Sequence, residues 1–352
     1  MGRRDFLGLA AGATLTAAGI GSLLGAAPAA AAPAHADPAN DPDSPLRFAL
    51  VTDTHVNVGS PQTTQWLTQV WASIAARTPD LVLHCGDITD TGRPDEFDRY
   101  AEILPPELHG KMHYSPGNHD VRWDPSAKEE YHSHFGPAPY SFDAGGVHFI
   151  GFDPTQVLQE PGHYGPGGLK WLEDDLRRMR PGTSAVLFQH FPLGNTFYYV
   201  DDQTAVLDVL ADHNVRGIFA GHIHKEVVTG FNGLTQVGLN AVKNGALYYW
   251  VERQRSADGT PVLRVSRIRI EPASPHGGRG RATVKTHINR ISARNTATDR
   301  ARGVGRAHRS KPTVGRPPAG GRVRRESAVG RTVRARLCQM GEQAVEQVPV
   351  AR

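Results

Sequence analysis

Between residues 46 and 271, short apolar runs alternate with amphipathic or polar stretches, which predicts strands and helices in turn. The strands read as LRFALV (46–51), LVLHC (81–85), KMHYS (111–115), VHFIGF (147–152), SAVLFQ (184–189) and VRGIFA (215–220). Helical periodicity falls at 62–77, 94–104, 126–134, 167–179 and 202–212, with Leu169, Leu172 and Leu176 sharing one face of the fourth. After His224 the pattern turns strand-like without helices, through EVVTGF, LTQVGL, ALYYWVER and VLRVSRIRI. Alternating β and α followed by hairpins argues for an α/β domain with a largely parallel or mixed sheet and an added β segment.

The flanks read differently. Residues 1–36 carry Arg3 and Arg4, then Phe6 and Leu7, a weakly hydrophobic Ala/Gly run, and Ala34–His35–Ala36 as a small-residue cleavage pattern. The paired arginines resemble a twin-arginine export signal, so the expectation is a protein passed through the twin-arginine export machinery and released outside the cytoplasm. An uncleaved anchor or a buried helix is the competing reading, but a run this rich in Gly and Ala makes a poor spanning segment. Residues 37–45 read as a linker, and the stretch from 272 to 352, rich in Gly, Pro and Arg, as a disordered tail.

Charge changes the picture once it is divided. From residue 272 onward there are 18 Lys/Arg against 4 Asp/Glu, which leaves the preceding 271 residues with 21 basic and 31 acidic side chains. The basic excess therefore belongs to the tail. Binding of nucleic acid or an anionic surface by that tail is a secondary reading, and the domain itself gives no such signal. With only Cys85 and Cys338, the fold is not built on disulfides. Cys85 closes an apolar run and reads as a small buried side chain.

The candidate chemistry sits at the carboxyl end of each apolar run. RFALV leads to Asp53 and His55, LVLHC to Asp87, and KMHYSP to Asn118, His119 and Asp120; SAVLFQ leads to His190, and VRGIFA to His222 and His224. Taken singly, Asp53 reads equally as a helix cap, Asn118 as a turn residue and His190 as a core histidine. Together they place metal-capable groups at five strand ends, where open α/β sheets form their ligand sites. Imidazoles, carboxylates and one carboxamide without thiolate suit Mn, Fe or Zn, and seven prospective ligands exceed the four of one tetrahedral ion.

The order D-x-H, G-D, G-N-H-D, H, G-H-x-H over residues 46–254 resembles the calcineurin-like metallophosphoesterases. The resemblance implies a four-layer α-β-β-α sandwich of two mixed sheets with a two-metal site at the strand ends. It implies Asp53, His55 and His224 on one metal, Asn118, His190 and His222 on the other, and Asp87 bridging both. It also implies His119 as a non-ligand catalytic histidine facing substrate, oriented by Asp120, with a salt bridge from Asp120 to Arg122 as the plainer alternative. Purple acid phosphatases are similar but carry D-x-G first and a tyrosine three positions after the bridging aspartate. This chain has His55 and Asp90 there, and GDITDTGRPDEF looks closer to cyclic-nucleotide and glycerophospho-phosphodiesterases.

The activity so implied is hydrolysis of small phosphodiesters by a metal-bridging hydroxide. A phosphomonoesterase or nucleotidase with the same metals, and a non-catalytic metal- or phosphate-binding protein, are the competing readings. The aromatic segment 195–203 after His190 reads either as a wall of the site, through Tyr198 and Tyr199, or as packing.

Overall fold

Along β1 (Arg47–Val51), Phe48 and Leu50 face one side, Ala49 and Val51 the other, and all four are buried. A strand buried on both faces needs cover on both, and the fold supplies it. The computed structural model describes residues 45–194, 199–231, 233–257 and 259–271, and the backbone of 282–292.

Chain order continues α1 (Pro61–Ala75), β2 (Leu81–Cys85), α2 (Pro94–Ile103), β3 (Met112–Ser115), α3 (Asn118–Val121), α4 (Ala127–Phe135), β4 (Tyr140–Ala144) and β5 (Val147–Gly151). It then runs α5 (Gly165–Arg178), β6 (Ser184–Gln189), α6 (Gln203–Ala211), β7 (Val215–Ala220), β8 (Val227–Phe231), β9 (Leu234–Gly238), β10 (Leu247–Arg255), β11 (Pro261–Ile270) and β12 (Ala282–Ser292).

Two six-stranded mixed sheets result, ordered β12-β11-β10-β1-β2-β3 and β4-β5-β6-β7-β9-β8. In the first, β1, β2 and β3 are parallel; in the second, β5, β6, β7 and β9 are. Phe48, Leu50, Leu83, Phe149, Phe188, Phe219 and Tyr249 fill the space between the sheets. On the outer face of the first sheet, Ala49, Val51 and Val82 meet Leu67, Val70, Trp71 and Ile74 of α1 and Phe97 and Tyr100 of α2. Outside the second, Ile150, Leu187 and Ile218 meet Leu172 and Leu176 of α5 and Val206 and Leu210 of α6. These three cores separate four layers, the α-β-β-α sandwich.

Helix ends follow local chemistry. Pro61 opens α1, where its missing N–H costs nothing. Asp202 caps α5 from a distance, accepting the Tyr164 and Gly165 amides at 3.1 and 2.8 Å, while Arg177 and Arg178 occupy its last turn.

Three elements depart from expectation. β4 pairs with β5 through the Gly145–Gly146 hairpin, and α3 is a single turn inside the GNHD stretch. The expected disorder from residue 272 is corrected over Ala282–Ser292, where β12 pairs antiparallel with β11 along its length and extends the first sheet. A ladder of backbone hydrogen bonds needs no apolar side-chain signal, so composition concealed it. The remainder of the tail, Cys338 and the leader lie outside the described residues. Among the described residues, no helix is long and apolar enough to cross a membrane.

Candidate metal centre

Each predicted ligand stands just beyond a strand: Asp53 and His55 after β1, Asp87 after β2, Asn118 after β3, His190 after β6, His222 and His224 after β7. Five of them, Asp53, His55, Asp87, His222 and His224, hold φ between 41° and 69°. Such left-handed backbone costs an L-residue about 1–2 kcal/mol, and it lifts each side chain out of the strand's alternation into the cleft between the sheets. Cross-strand hydrogen bonds hold the turns: the Asp53 amide donates to Gly86 O at 2.9 Å and the His55 amide to Asp87 O at 3.1 Å.

The seven side chains fall into two sets. His224 Nε2 lies 3.0 Å from Asp53 Oδ1 and 3.2 Å from His55 Nε2, and His55 Nε2 is 3.5 Å from Asp87 Oδ2. In the second set, Asn118 Oδ1 is 3.0 Å from His190 Nε2 and 3.1 Å from His222 Nδ1, and those nitrogens are 3.2 Å apart. His190 Nε2 is 3.3 Å from the same Asp87 Oδ2. That one oxygen therefore belongs to both sets. Donors about 2.0–2.2 Å from a cation stand roughly 3–3.6 Å from each other, so both sets have the spacing of a coordination sphere.

Tautomers agree. The His55 Nδ1–H donates to Asp90 Oδ1 at 3.0 Å and the His190 Nδ1–H to Cys85 O at 2.9 Å, leaving both Nε2 lone pairs facing inward. Charge agrees as well. Burial opposes protonation of His190, yet Asp87 and Asp53 push it up to about 9, so these buried carboxylates draw positive charge to this point. Burial would raise Asp87, but His190 and then His55 outweigh it and hold it well below the usual carboxylate range. Burial pushes the Cys85 thiol up, which removes it as a thiolate donor. The donor set fits borderline divalent or trivalent ions.

His119 stands beside these sets without joining the donors. Its amide donates to Asp87 Oδ1 at 2.9 Å and its Nδ1–H to the Asp90 carbonyl at 2.6 Å. Its Nε2 therefore accepts, from Arg122 Nη2 at 3.3 Å.

The expectation that Asp120 orients His119 is corrected. The Asp120 carboxylate accepts the Ile88, Thr89 and Gly117 amides at 3.2, 2.9 and 2.9 Å and the Thr89 hydroxyl at 2.8 Å. Adjacent side chains on a helical turn diverge, so Asp120 ties the GNHD turn to the β2 loop instead. Burial and the neighbouring Asp87 carboxylate push it up to about 6 against those hydrogen bonds. Nor does Asp120 pair with Arg122, whose guanidinium pairs with Glu160, itself 3.2 Å from Asn118 Nδ2.

Sequence reasoning passed over Asp90 and Glu160 as functional groups. Asp90 braces His55 and also accepts Asn57 Nδ2 at 3.0 Å; its own signal was its place three residues after Asp87. Glu160 sits in a loop with no motif to mark it. Of the aromatic segment, Asn195 to Tyr198 lie outside the described residues, whereas the Tyr199 ring lies 4.5 Å from that of His222.

Residues 46–226 match the family model described as calcineurin-like phosphoesterase. The chain is 28% identical over 193 residues to a Rhodococcus erythropolis protein named probable cyclic nucleotide phosphodiesterase, an alignment covering 51% of this chain and 64% of that one. It is 29% identical over 208 residues to a Synechococcus protein of the same description, covering 54% and 77%. A third relative, a probable glycerophosphodiester phosphodiesterase of Arcobacter nitrofigilis, is 27% identical over 210 residues, covering 50% and 75%.

Proposed function

Because the chain belongs to the calcineurin-like phosphoesterase family, we propose that it is a metal-dependent hydrolase of phosphodiesters with a binuclear centre. The observation that carries the reading is Asp87 Oδ2, held 3.5 Å from His55 Nε2 and 3.3 Å from His190 Nε2, one in each donor set. Asp53, His55 and His224 would hold one ion and Asn118, His190 and His222 the other, with Asp87 common to both. Bound Mn, Fe or Zn ions supply Lewis acidity towards phosphoryl oxygens and lower the pKa of water towards neutrality.

The protein's own groups do the rest. Asp90 and the Cys85 carbonyl fix the tautomers of His55 and His190. His119, anchored through Nδ1, presents Nε2 beside the Arg122 guanidinium, so the guanidinium charge and the imidazole would together stabilise charge developing on the leaving oxygen. Relatives named for cyclic nucleotides and for glycerophosphodiesters support a diester over a monoester.

The test is a screen of the metal-reconstituted protein against cyclic nucleotides, glycerophosphodiesters and phosphomonoesters. Diesters are expected to have at least a tenfold higher kcat/KM; the reverse ranking would replace the diester reading with a phosphomonoesterase or nucleotidase. Export by the twin-arginine route belongs to the same proposal and rests on Arg3, Arg4 and the Ala34–His35–Ala36 pattern. Replacing both arginines with lysine is expected to retain the protein in the cytoplasm of a twin-arginine-competent host; unchanged release would refute that route.

A further inference from the structure

Trp123 is the only one of the five tryptophans that is exposed, at 51% of its surface; Trp71 and Trp250 are buried, and Trp66 and Trp171 pack against the cores. An exposed indole forgoes burial of the largest apolar side chain, and this one stands at the rim of the metal centre. Its ring centroid is 5.9 Å from that of His119, which is in turn 4.6 Å from that of His55. The Arg122 guanidinium covers one side of the indole at 4.2 Å from its centroid, and Glu160 pins that guanidinium.

The backbone on both sides is fixed. The Arg122 amide closes the α3 turn on Asn118 O at 2.9 Å, and the Asp124 carboxylate accepts the Ser126 amide at 2.8 Å. The ring is thus held in place before any ligand arrives, which keeps the ordering cost of binding low.

We propose that Trp123 is a stacking platform for the nucleobase of a nucleotide phosphodiester whose phosphate lies at the metal centre. The inference rests on the phosphodiesterase reading and narrows its substrate class. One ring, that of His119, separates Trp123 from a ligand histidine, leaving room for a pentose between phosphate and base. A planar base finds an indole face backed by a guanidinium, an arrangement that tolerates any base because every base offers a π-face. Glycerol and ethanolamine esters offer no such plane.

The test uses the metal-loaded full chain and the hydrolysis-resistant phosphonate analogues of AMP and of ribose 5-phosphate, compared by calorimetry. The wild type is expected to bind the adenosine compound about tenfold more tightly than the ribose compound. Trp123→Ala should bring that ratio to about one, and Trp123→Phe should keep most of it. In parallel, Trp123→Ala should lower the kcat/KM ratio of 3′,5′-cyclic AMP to glycerophosphoethanolamine about tenfold, through KM. Equal affinities in the wild type, or an unchanged ratio in Trp123→Ala, would overturn the proposal. If the wild type hydrolyses neither diester, the phosphodiesterase reading fails, while the binding ratio still decides the role of Trp123.

Discussion

Asp87→Asn is expected to leave a folded protein that has lost on the order of 10³-fold or more of its turnover and no longer retains two metal ions per chain. The substitution keeps the side chain's shape, and asparagine tolerates the φ of 51° found there, so the fold has no reason to fail. What disappears is the charge on Oδ2, the atom both donor sets share. His190 then loses the largest of the influences that draw a positive charge onto it. Elemental analysis of the purified variant, with circular dichroism as the folding control, reads the outcome. His119→Ala is the matched contrast: metal content should match the wild type while turnover falls about 10²–10⁴-fold. Metal loss in that variant would make His119 a ligand.

Gly221→Ala should damage the same site without replacing a ligand residue. A Cβ there would overlap Thr52 Oγ1, stand 2.5 Å from Asp53 Oδ2 and 3.0 Å from the Cys85 carbonyl. All three neighbours are buried, and Thr52 Oγ1 donates to Asp53 Oδ2 at 2.7 Å, so none can yield alone. The expected result is at least a tenfold loss of metal affinity together with about 1–3 kcal/mol of stability, measured by metal titration and chemical denaturation. Gly117 is confined in the same way, against Asp87 Oδ1 and the Asp87 amide. Gly167, in the first turn of α5, has nothing within 4 Å, so Gly167→Ala should be neutral or slightly stabilising and serves as the control. Undiminished metal affinity in Gly221→Ala would show that the end of β1 moves freely, contrary to the geometry.

These glycines show where sequence reasoning was sharp and where it was not. Gly117 and Gly221 are needed because a Cβ has no room at either: Asp87 crowds the first, and the Thr52 and Asp53 side chains with the Cys85 carbonyl crowd the second. The strands that carry the ligands were legible because a strand buried on both faces writes a continuous apolar run, as in LVLHC and VRGIFA. The pairing of His222 with Asn118, and of His224 with Asp53, is a property of two sheets meeting face to face, which no local spacing records.

Asp120 was misread because its role rested on the family resemblance, which gave it to His119 as an orienting partner. The better signal was the position itself: an acid three residues after a turn-opening glycine reaches back to that glycine's amide. The left-handed backbone at five ligands was invisible, since nothing in Asp53-Thr54-His55 announces it. β12 was hidden by a composition dominated by charge and glycine around it.

The central claim is that two ions shared through Asp87 make this chain a phosphodiesterase. Its most direct test is the rate of bis(p-nitrophenyl) phosphate hydrolysis by chelator-stripped protein as Mn(II) is added back under tight-binding conditions. A shared binuclear centre predicts no turnover without metal and a rate that saturates at two equivalents per chain. Full activity after chelation, or saturation at one equivalent, would contradict it.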